Sequence, residues 1–287
     1  MLKLFLYKVI CKVLCSNSVM RDSQRLSLCE VLCSNAVISD SQRLSLCKVL
    51  FSNAAISDSQ RLSLLKNMAD ILFDDFRLTW HQLDWWHHTD FNKFLKMFDE
   101  IQGFNCHRKW MLWQLLRLTA SVTGDTAECG VFKGASSWLI CTANHSSSIE
   151  RTHHLFDSFE GVSEPSELDG SHWRKGDLAA GEDVVSKNLS PFLSQIEFHK
   201  GWIPERFVDV KDMKFSFVHV DVDLYEPTRD SIEFFYDRIS PGGILLCDDY
   251  AFNSCPGATK AVDTFLDNKP EKMIRLDAGG GFSSKIV

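Results

Sequence analysis

Residues 215–250, FSFVHVDVDLYEPTRDSIEFFYDRISPGGILLCDDY, constrain the fold of this chain more than any other stretch. FSFVHVD is short, apolar and rich in β-branched and aromatic residues, the pattern of a buried strand. Residues 228–239 carry helical periodicity, Pro241-Gly242-Gly243 reads as a turn, and ILLC reads as a second buried strand. A right-handed crossover makes the two strands parallel, so their carboxyl ends point the same way. Each ends in acid: Asp221 and Asp223 on the first, Asp248 and Asp249 on the second. Residues two apart on a strand share a face, so Asp221 and Asp223 are expected to look in one direction. Four carboxylates at one sheet edge repel each other unless a cation or a proton sits among them. The chemistry is expected there.

The rest of the chain from residue 125 alternates in the same way. Strands are expected at 126–129, 153–156, 196–199, 215–221 and 244–247, followed by a hairpin of 273–276 and 282–287. Helices are expected near 135–144, 182–189, 228–239 and 260–266. This is the pattern of an α/β fold with a Rossmann-like, doubly wound and mostly parallel sheet ending in an antiparallel hairpin. Such sheets bind ligands outside the carboxyl ends of their strands, at the point where strand order reverses.

The segments before it read differently. Residues 12–65 are three near-copies of an 18-residue unit, KVLCSNSVMRDSQRLSLC, EVLCSNAVISDSQRLSLC and KVLFSNAAISDSQRLSLL. Residues 1–65 are read as helical or poorly ordered repeats, 66–122 as a helical lid or cap, and 123–287 as the ligand-binding domain. Within the cap, Thr89 or Asp90 is expected to cap a helix burying Phe91, Phe94, Leu95, Phe98 and Ile101, and a second helix is expected over 107–120. His81, Asp84, His87 and His88 in HQLDWWHH match no zinc spacing.

Composition narrows the partners. The formal net charge is -7 and no basic run occurs, which excludes nucleic acid as the main partner. No apolar run approaches the roughly 18–20 residues of a bilayer span, and Lys8 and Lys12 interrupt the apolar start, so a soluble cytoplasmic protein is expected. The 10 cysteines include no CxxC pair, so reduced, mostly buried thiols are expected. A homo-oligomer is compatible with all of this.

Three strand tips suggest a cofactor. The first runs into Glu128-Cys129-Gly130-Val131-Phe132-Lys133-Gly134-Ala135-Ser136, where Gly130 and Gly134 permit a tight turn and close backbone approach. A glutamate at this strand end suits a cationic, amino-acid-like ligand better than a pyrophosphate. Asp157, followed by Ser158, stands where an acid accepts hydrogen bonds from a ribose diol. Gly201 and Trp202 follow the third strand, where the indole stacks on a base or packs. Together they imply a nucleoside-bearing cofactor. His219 is read as a packed residue on the face opposite Asp221. Residues 169–181, with His172 and Trp173, are read as a mobile lid.

AECGVFKGASS, LFDSFEG, KGWIPERF, HVDVDLYEPT and GGILLCDDY, in this order, resemble the macrocin O-methyltransferase (TylF-like) family of S-adenosylmethionine-dependent enzymes. The resemblance spans residues 125–287 and leaves the repeats outside. It implies a class I methyltransferase sheet and S-adenosylmethionine at Glu128, Gly130, Gly134, Ser136, Asp157, Ser158, Gly201 and Trp202. It implies a divalent cation, usually Mg²⁺, on Asp221, Asp248 and Asp249, with Asp223 as the general base. The implied acceptor is a hydroxyl of a sugar-containing small molecule. Two rivals are weighed beside it. Asp221-Val222-Asp223 also fits the DxD motif of metal-dependent glycosyltransferases, against which the ExGxxxG turn and the acid on strand two argue. An interaction protein using its repeats, with a relic α/β domain, is the non-catalytic alternative.

Overall fold

The computed structural model describes residues 85, 88–100, 105–277 and 279–286. The 18-residue repeats, and His81, Asp84 and His87 of HQLDWWHH, lie outside the described residues. From Asp84 onward the chain is one compact unit.

Two helices open it, α1 (Thr89–Met97) and α2 (Cys106–Leu118). The cap of α1 is His88 rather than Thr89 or Asp90: its Nδ1 accepts from the Phe91 amide at 3.3 Å. Asp90 instead falls in the first turn, where a negative charge meets the positive end of the helix dipole. Both helices pack their apolar faces onto the sheet rather than standing apart from it. Phe91, Phe94, Leu95, Leu112, Leu115 and Leu116 form one core with Leu139, Ile140, Phe217, Ile244 and Leu246.

The sheet contains β1 (Asp125–Cys129), β2 (His153–Asp157), β3 (Ile196–Lys200), β4 (Phe215–Val220), β5 (Ile239–Cys247), β6 (Ile274–Arg275) and β7 (Gly281–Ser284). Its order is β3-β2-β1-β4-β5-β7-β6; β1 to β5 run parallel and β7 pairs antiparallel with β5 and β6. The order reverses between β1 and β4, which makes the carboxyl ends of these two strands the expected ligand crevice. Helices α3 (Ala135–His145), α4 (Glu182–Asn188), α5 (Tyr225–Tyr236) and α6 (Pro256–Leu266) complete the layers.

Several boundaries differ from the sequence reading, and three of them have a clear local reason. Helix α5 starts at Tyr225, three residues before Thr228, because Pro227 lies in the first turn, where its missing N–H breaks no hydrogen bond. Helix α6 starts at Pro256 for the same reason: proline at the first helical position suits the helix rather than ending it. Strand β5 runs from Ile239 through Pro241-Gly242-Gly243 instead of starting at Ile244. The register slips between Phe215 and Phe217, and Gly242 has φ +79°, so the expected turn is a bulge inside the strand.

The opposite face of the sheet is covered by α5, α6 and a 3₁₀ turn, Glu205–Val210. Phe235 is its centre, fully buried and in ring contact with Phe156, Phe207, Phe215 and Phe234 at centroid distances of 5.8, 5.2, 5.0 and 5.0 Å. Phe235→Ala should therefore cost about 3–5 kcal/mol of stability in urea denaturation; a loss below about 1 kcal/mol would mean that this layer is not packed as described.

Candidate active site

The crevice at the strand-order reversal is built by backbone contact. Asp221 N–H donates to the Cys129 carbonyl at 2.9 Å, and Asp248 N–H donates to the Val220 carbonyl at 2.9 Å, so the tips of β1, β4 and β5 stay in register. Gly130 has φ +81°, and a Cβ there would lie 1.9 Å from the Asp221 carbonyl oxygen. Only glycine lets the β1 loop approach the acidic tip of β4 so closely.

Asp157 holds this loop from the side. Its Oδ2 accepts from the Val131 and Phe132 amides at 2.7 and 3.3 Å, and its Oδ1 accepts from Phe159 N–H at 2.7 Å. Gly201 N–H donates to the Asp157 carbonyl at 3.0 Å, which brings the β3 loop alongside. Ser158, buried, bonds within its own turn, its Oγ accepting from Glu160 N–H at 3.1 Å. Trp202 is half-buried beside Gly201. Gly134, with φ +84°, caps α3, and Ser136 in its first turn accepts from the buried Lys109 ammonium.

Glu128 is fully enclosed. One oxygen accepts from Ser137 Oγ and the other faces His219 Nδ1 at 2.9 Å. Burial pushes its pKa up, but bonding to His153 and His219 overcomes this and holds it at about 2. His219 reaches on to Asp248, Nε2 to Oδ1 3.6 Å. Burial pushes its pKa down, yet Asp248 and Glu128 raise it to about 10. The expectation that His219 faces away from Asp221 is thus wrong, and the reason is elementary: residues two apart on a strand lie on one face.

The four acids form two neighbouring groups. Asp221 and Asp248 gather with His219, and Asp223 and Asp249 gather with Cys255, with the ligand-type atoms of each group within 4.8 Å of one another. Strand β4 stops at Val220, and Asp223 takes φ +60°, a strained conformation for a non-glycine residue. That twist ends the period-two relation and sends Asp221 and Asp223 into different groups. Asp249 Oδ2 accepts from Asp223 N–H at 2.7 Å, and Cys255 Sγ lies 3.7 Å from a carboxylate oxygen of each.

Charge is unevenly shared among them. Burial raises the Asp248 pKa, but Arg108 and His219 overrule it and hold this carboxyl well below the usual range. Burial, then the charge of Asp248, raises Asp221; burial, then Asp223 and Asp221, raises Asp249. Burial, then Asp221, lifts Asp223 to about 7. Arg108 Nη1 stands 2.8 Å from Asp248 Oδ2, an ion pair without hydrogen-bond alignment. The sequence reading missed Arg108 and Lys109. Their signal was an adjacent basic pair at the start of a helix whose other face is aromatic. Residues 169–181, expected as a mobile lid, are tied in both halves: Asp169 Oδ1 accepts from Tyr225 N–H at 2.6 Å, and Gly176 N–H and the Asp177 carbonyl both bond to Val162 at 2.8 Å. Trp173 Nε1–H donates to Cys255 Sγ at 3.3 Å, which sets the indole beside the Asp223 group.

A parallel sheet with its glycine bend, acid-held loop and acidic β4 and β5 tips at the reversal point has the architecture of the small-molecule methyltransferases. Among solved structures it resembles the O-methyltransferase NovP, 26% identical over 63% of this chain and 80% of that one, with a TM-score of 0.51. The calicheamicin methyltransferase CalS11 shares the fold, with a TM-score of 0.52 at 18% identity over 86% of this chain and 93% of that one. Residues 116–285, more than half of the chain, match the macrocin-O-methyltransferase (TylF) family model, and the chain belongs to that family. A curated relative from Streptomyces olivaceus, 8-demethyl-8-(2,3-dimethoxy-alpha-L-rhamnosyl)-tetracenomycin-C 4'-O-methyltransferase, is 30% identical over 49% of this chain and 58% of its own length. Demethyldecarbamoylnovobiocin O-methyltransferase from Streptomyces niveus is 30% identical over 56% of this chain and 65% of its own. The chain thus spans less than two thirds of the length of either.

Two outcomes test this site. Gly130→Ala places a methyl against the Asp221 carbonyl and strains the backbone, so it should destabilise the fold by about 2 kcal/mol or more; wild-type stability would show the β1–β4 approach to be looser. The buried ion pairs have a pH signature. The His219 contribution is full below its ordinary pKa of 6.5 and is lost as pH rises through about 10. That of Glu128 is full above its ordinary 4.5 and is lost as pH falls through about 2. The stability difference between wild type and His219→Gln should therefore be largest at and below pH 6.5 within the folded range, and shrink as pH approaches 10. A difference independent of pH would remove the charge from His219.

Proposed function

We propose that this chain is an S-adenosylmethionine-dependent O-methyltransferase, assisted by a divalent cation and acting on a hydroxyl of a sugar-bearing small molecule. The observation that carries this reading is the abutment of the glycine bend after Glu128 on the acidic tip of β4, where a Cβ on Gly130 would touch the Asp221 carbonyl. A cofactor seated on the bend then lies next to the acids. Family membership supports the reaction class, and the names of the relatives, which include a methyltransferase of a rhamnosyl-tetracenomycin, support the acceptor class.

The donor set fits a hard cation. All four acids offer oxygen, burial and mutual repulsion raise Asp221 and Asp249, and Asp248 Oδ2 is buried without an aligned hydrogen-bond donor. Asp221 and Asp248, with Asp249 recruited from the neighbouring group, would hold Mg²⁺ or a similar ion, which when bound lowers the pKa of a substrate hydroxyl and fixes its direction. S-adenosylmethionine supplies the electrophilic methyl. The Val131 and Phe132 segment and Gly134 shape its seat, Asp157 fixes that segment and faces the ribose side, and Ser136, Ser158, Gly201 and Trp202 border it. Glu128, enclosed by His219 and Ser137, steadies the seat from beneath.

Asp223 takes the proton from the attacking hydroxyl. Its pKa, lifted to about 7, is close to the value at which a base both exists in its active form and binds a proton well. Trp173, bonded to Cys255, borders the acceptor side. Thiols Cys129, Cys141, Cys247 and Cys255 are buried and outside any disulfide, which suits the reducing cytoplasm. Among the described residues no helix is long and apolar enough to cross a membrane.

Asp223→Asn should leave S-adenosylhomocysteine binding nearly unchanged in calorimetry and lower kcat by about 10²–10⁴; full turnover would remove it as the base. Asp248→Ala and EDTA should each abolish turnover, and activity indifferent to EDTA would take the cation out of the reaction. Asp157→Ala should weaken S-adenosylhomocysteine binding more than cation binding; an unchanged affinity would overturn the ribose assignment. Binding of UDP-sugars in place of S-adenosylhomocysteine would favour glycosyl transfer.

A further inference from the structure

Strands β2 and β3 carry a second cluster, separated from β4 by β1 and unused by the proposed reaction. His154 pairs with Glu197 across the ladder, and His199 is two residues further along β3, so all three lie on the sheet face covered by the 3₁₀ turn Glu205–Val210. His154 Nδ1 lies 2.9 Å from His199 Nε2 and 3.6 Å from Glu197 Oε2. Both imidazoles are buried, at 1% and 2% exposure, while Glu197 is 55% exposed and opens the cluster to solvent.

The outer nitrogens decide what the inner ones can be. His199 Nδ1 faces Asp209 Oδ2 at 3.0 Å, and that carboxylate is itself held by Arg206 at 2.6 Å. His154 Nε2 is buried without an aligned hydrogen bond and points to Asp125 Oδ2 at 3.5 Å. The other oxygen of Asp125 is occupied by the Thr152 amide at 2.8 Å. Carboxylates next to Nδ1 of one ring and Nε2 of the other favour N–H at those positions, which leaves two lone pairs facing each other across 2.9 Å. Two facing lone pairs beside a carboxylate call for a proton or a metal ion among them, and the three-ligand geometry suits the metal. The Phe156 ring, stacked on His199 with centroids 4.4 Å apart and planes 11° from parallel, holds that ring in place.

We propose that His154, Glu197 and His199 bind a transition-metal ion of the zinc class, with Asp125 and Asp209 orienting the imidazoles from behind. Four-coordinate zinc with bonds of about 2.0–2.1 Å places its ligand atoms about 3.3 Å apart. The observed 2.9 and 3.6 Å bracket that spacing. Carboxylates behind metal-bound histidines are the usual arrangement, and imidazole with carboxylate selects such ions over Mg²⁺. The ion clips edge strand β3 to β2, and water completes the fourth position through the side that Glu197 leaves open.

The test is Co²⁺ titration of the full chain followed by visible absorption. Wild type should take up one equivalent with the intense bands of a four-coordinate site, and Asp248→Ala should retain them, because an oxygen-only octahedral site absorbs weakly. His199→Gln should abolish the bands. Glu197→Gln, at an exposed position where folding is not at stake, should weaken Co²⁺ binding by about tenfold or more, and Asp209→Asn by about 10–100-fold. A wild-type protein silent toward Co²⁺ would reduce the pair to two histidines sharing a proton and overturn the proposal. So would bands that survive Glu197→Gln unchanged, or bands that vanish with Asp248→Ala.

Discussion

Carboxylates do not enter a protein interior together without positive charge to meet them, and that constraint organises the β4 and β5 tips. Asp223, Asp248 and Asp249 are at most 8% exposed, with Asp221 beside them, and three of the four are held above their ordinary pKa. Arg108, anchored on Asp248, and His219, charged to about pH 10, compensate part of this. Their positions come from different layers: Arg108 from α2, His219 from the middle of the sheet. The helical segment before the sheet is therefore part of the electrostatics of the site as well as of its core.

The same constraint links the two halves of the crevice. His219 touches Glu128 on one side and Asp248 on the other, so the β1 tip and the β5 tip share one buried proton carrier. Breaking a buried pair of this kind typically costs about 3–5 kcal/mol, because it strands an uncompensated charge. Gly130 and Asp157 work on the same boundary from the other direction. One removes the side chain that would hold the loop off Asp221, and the other ties down the loop amides. The glycine bend and the acid cluster are thus a single construction, with the strained Asp223 at their junction.

The fold was readable because alternating apolar runs and helical stripes are local signals. The mostly parallel sheet followed from the strand–helix alternation, and the glycine bend and acidic strand tips from Gly130, Asp157 and the DVD and CDDY motifs. Boundaries failed at Pro227, Pro256 and Pro241-Gly242-Gly243, where residues that usually stop an element sit in a first turn or a bulge. What could not be read was compensation across the sequence. Arg108 is 140 residues from the Asp248 carbonyl to which it also donates, and no spacing rule connects them. Asp223 was expected beside Asp221, but a single positive φ sends it to Asp249 instead. The His154–His199 contact, 45 residues apart, was equally silent: two buried histidines in separate strands look like core until the ladder aligns them.

The most direct measurement is the anomalous scattering of Mn²⁺ in crystals grown with S-adenosylhomocysteine. The account places a peak among the carboxylate oxygens of Asp221, Asp248 and Asp249, beside the sulfur of the ligand on the glycine bend. Strand tips without bound metal, their charge met by Arg108, Lys109 and His219 alone while the ligand occupies its seat, would contradict it.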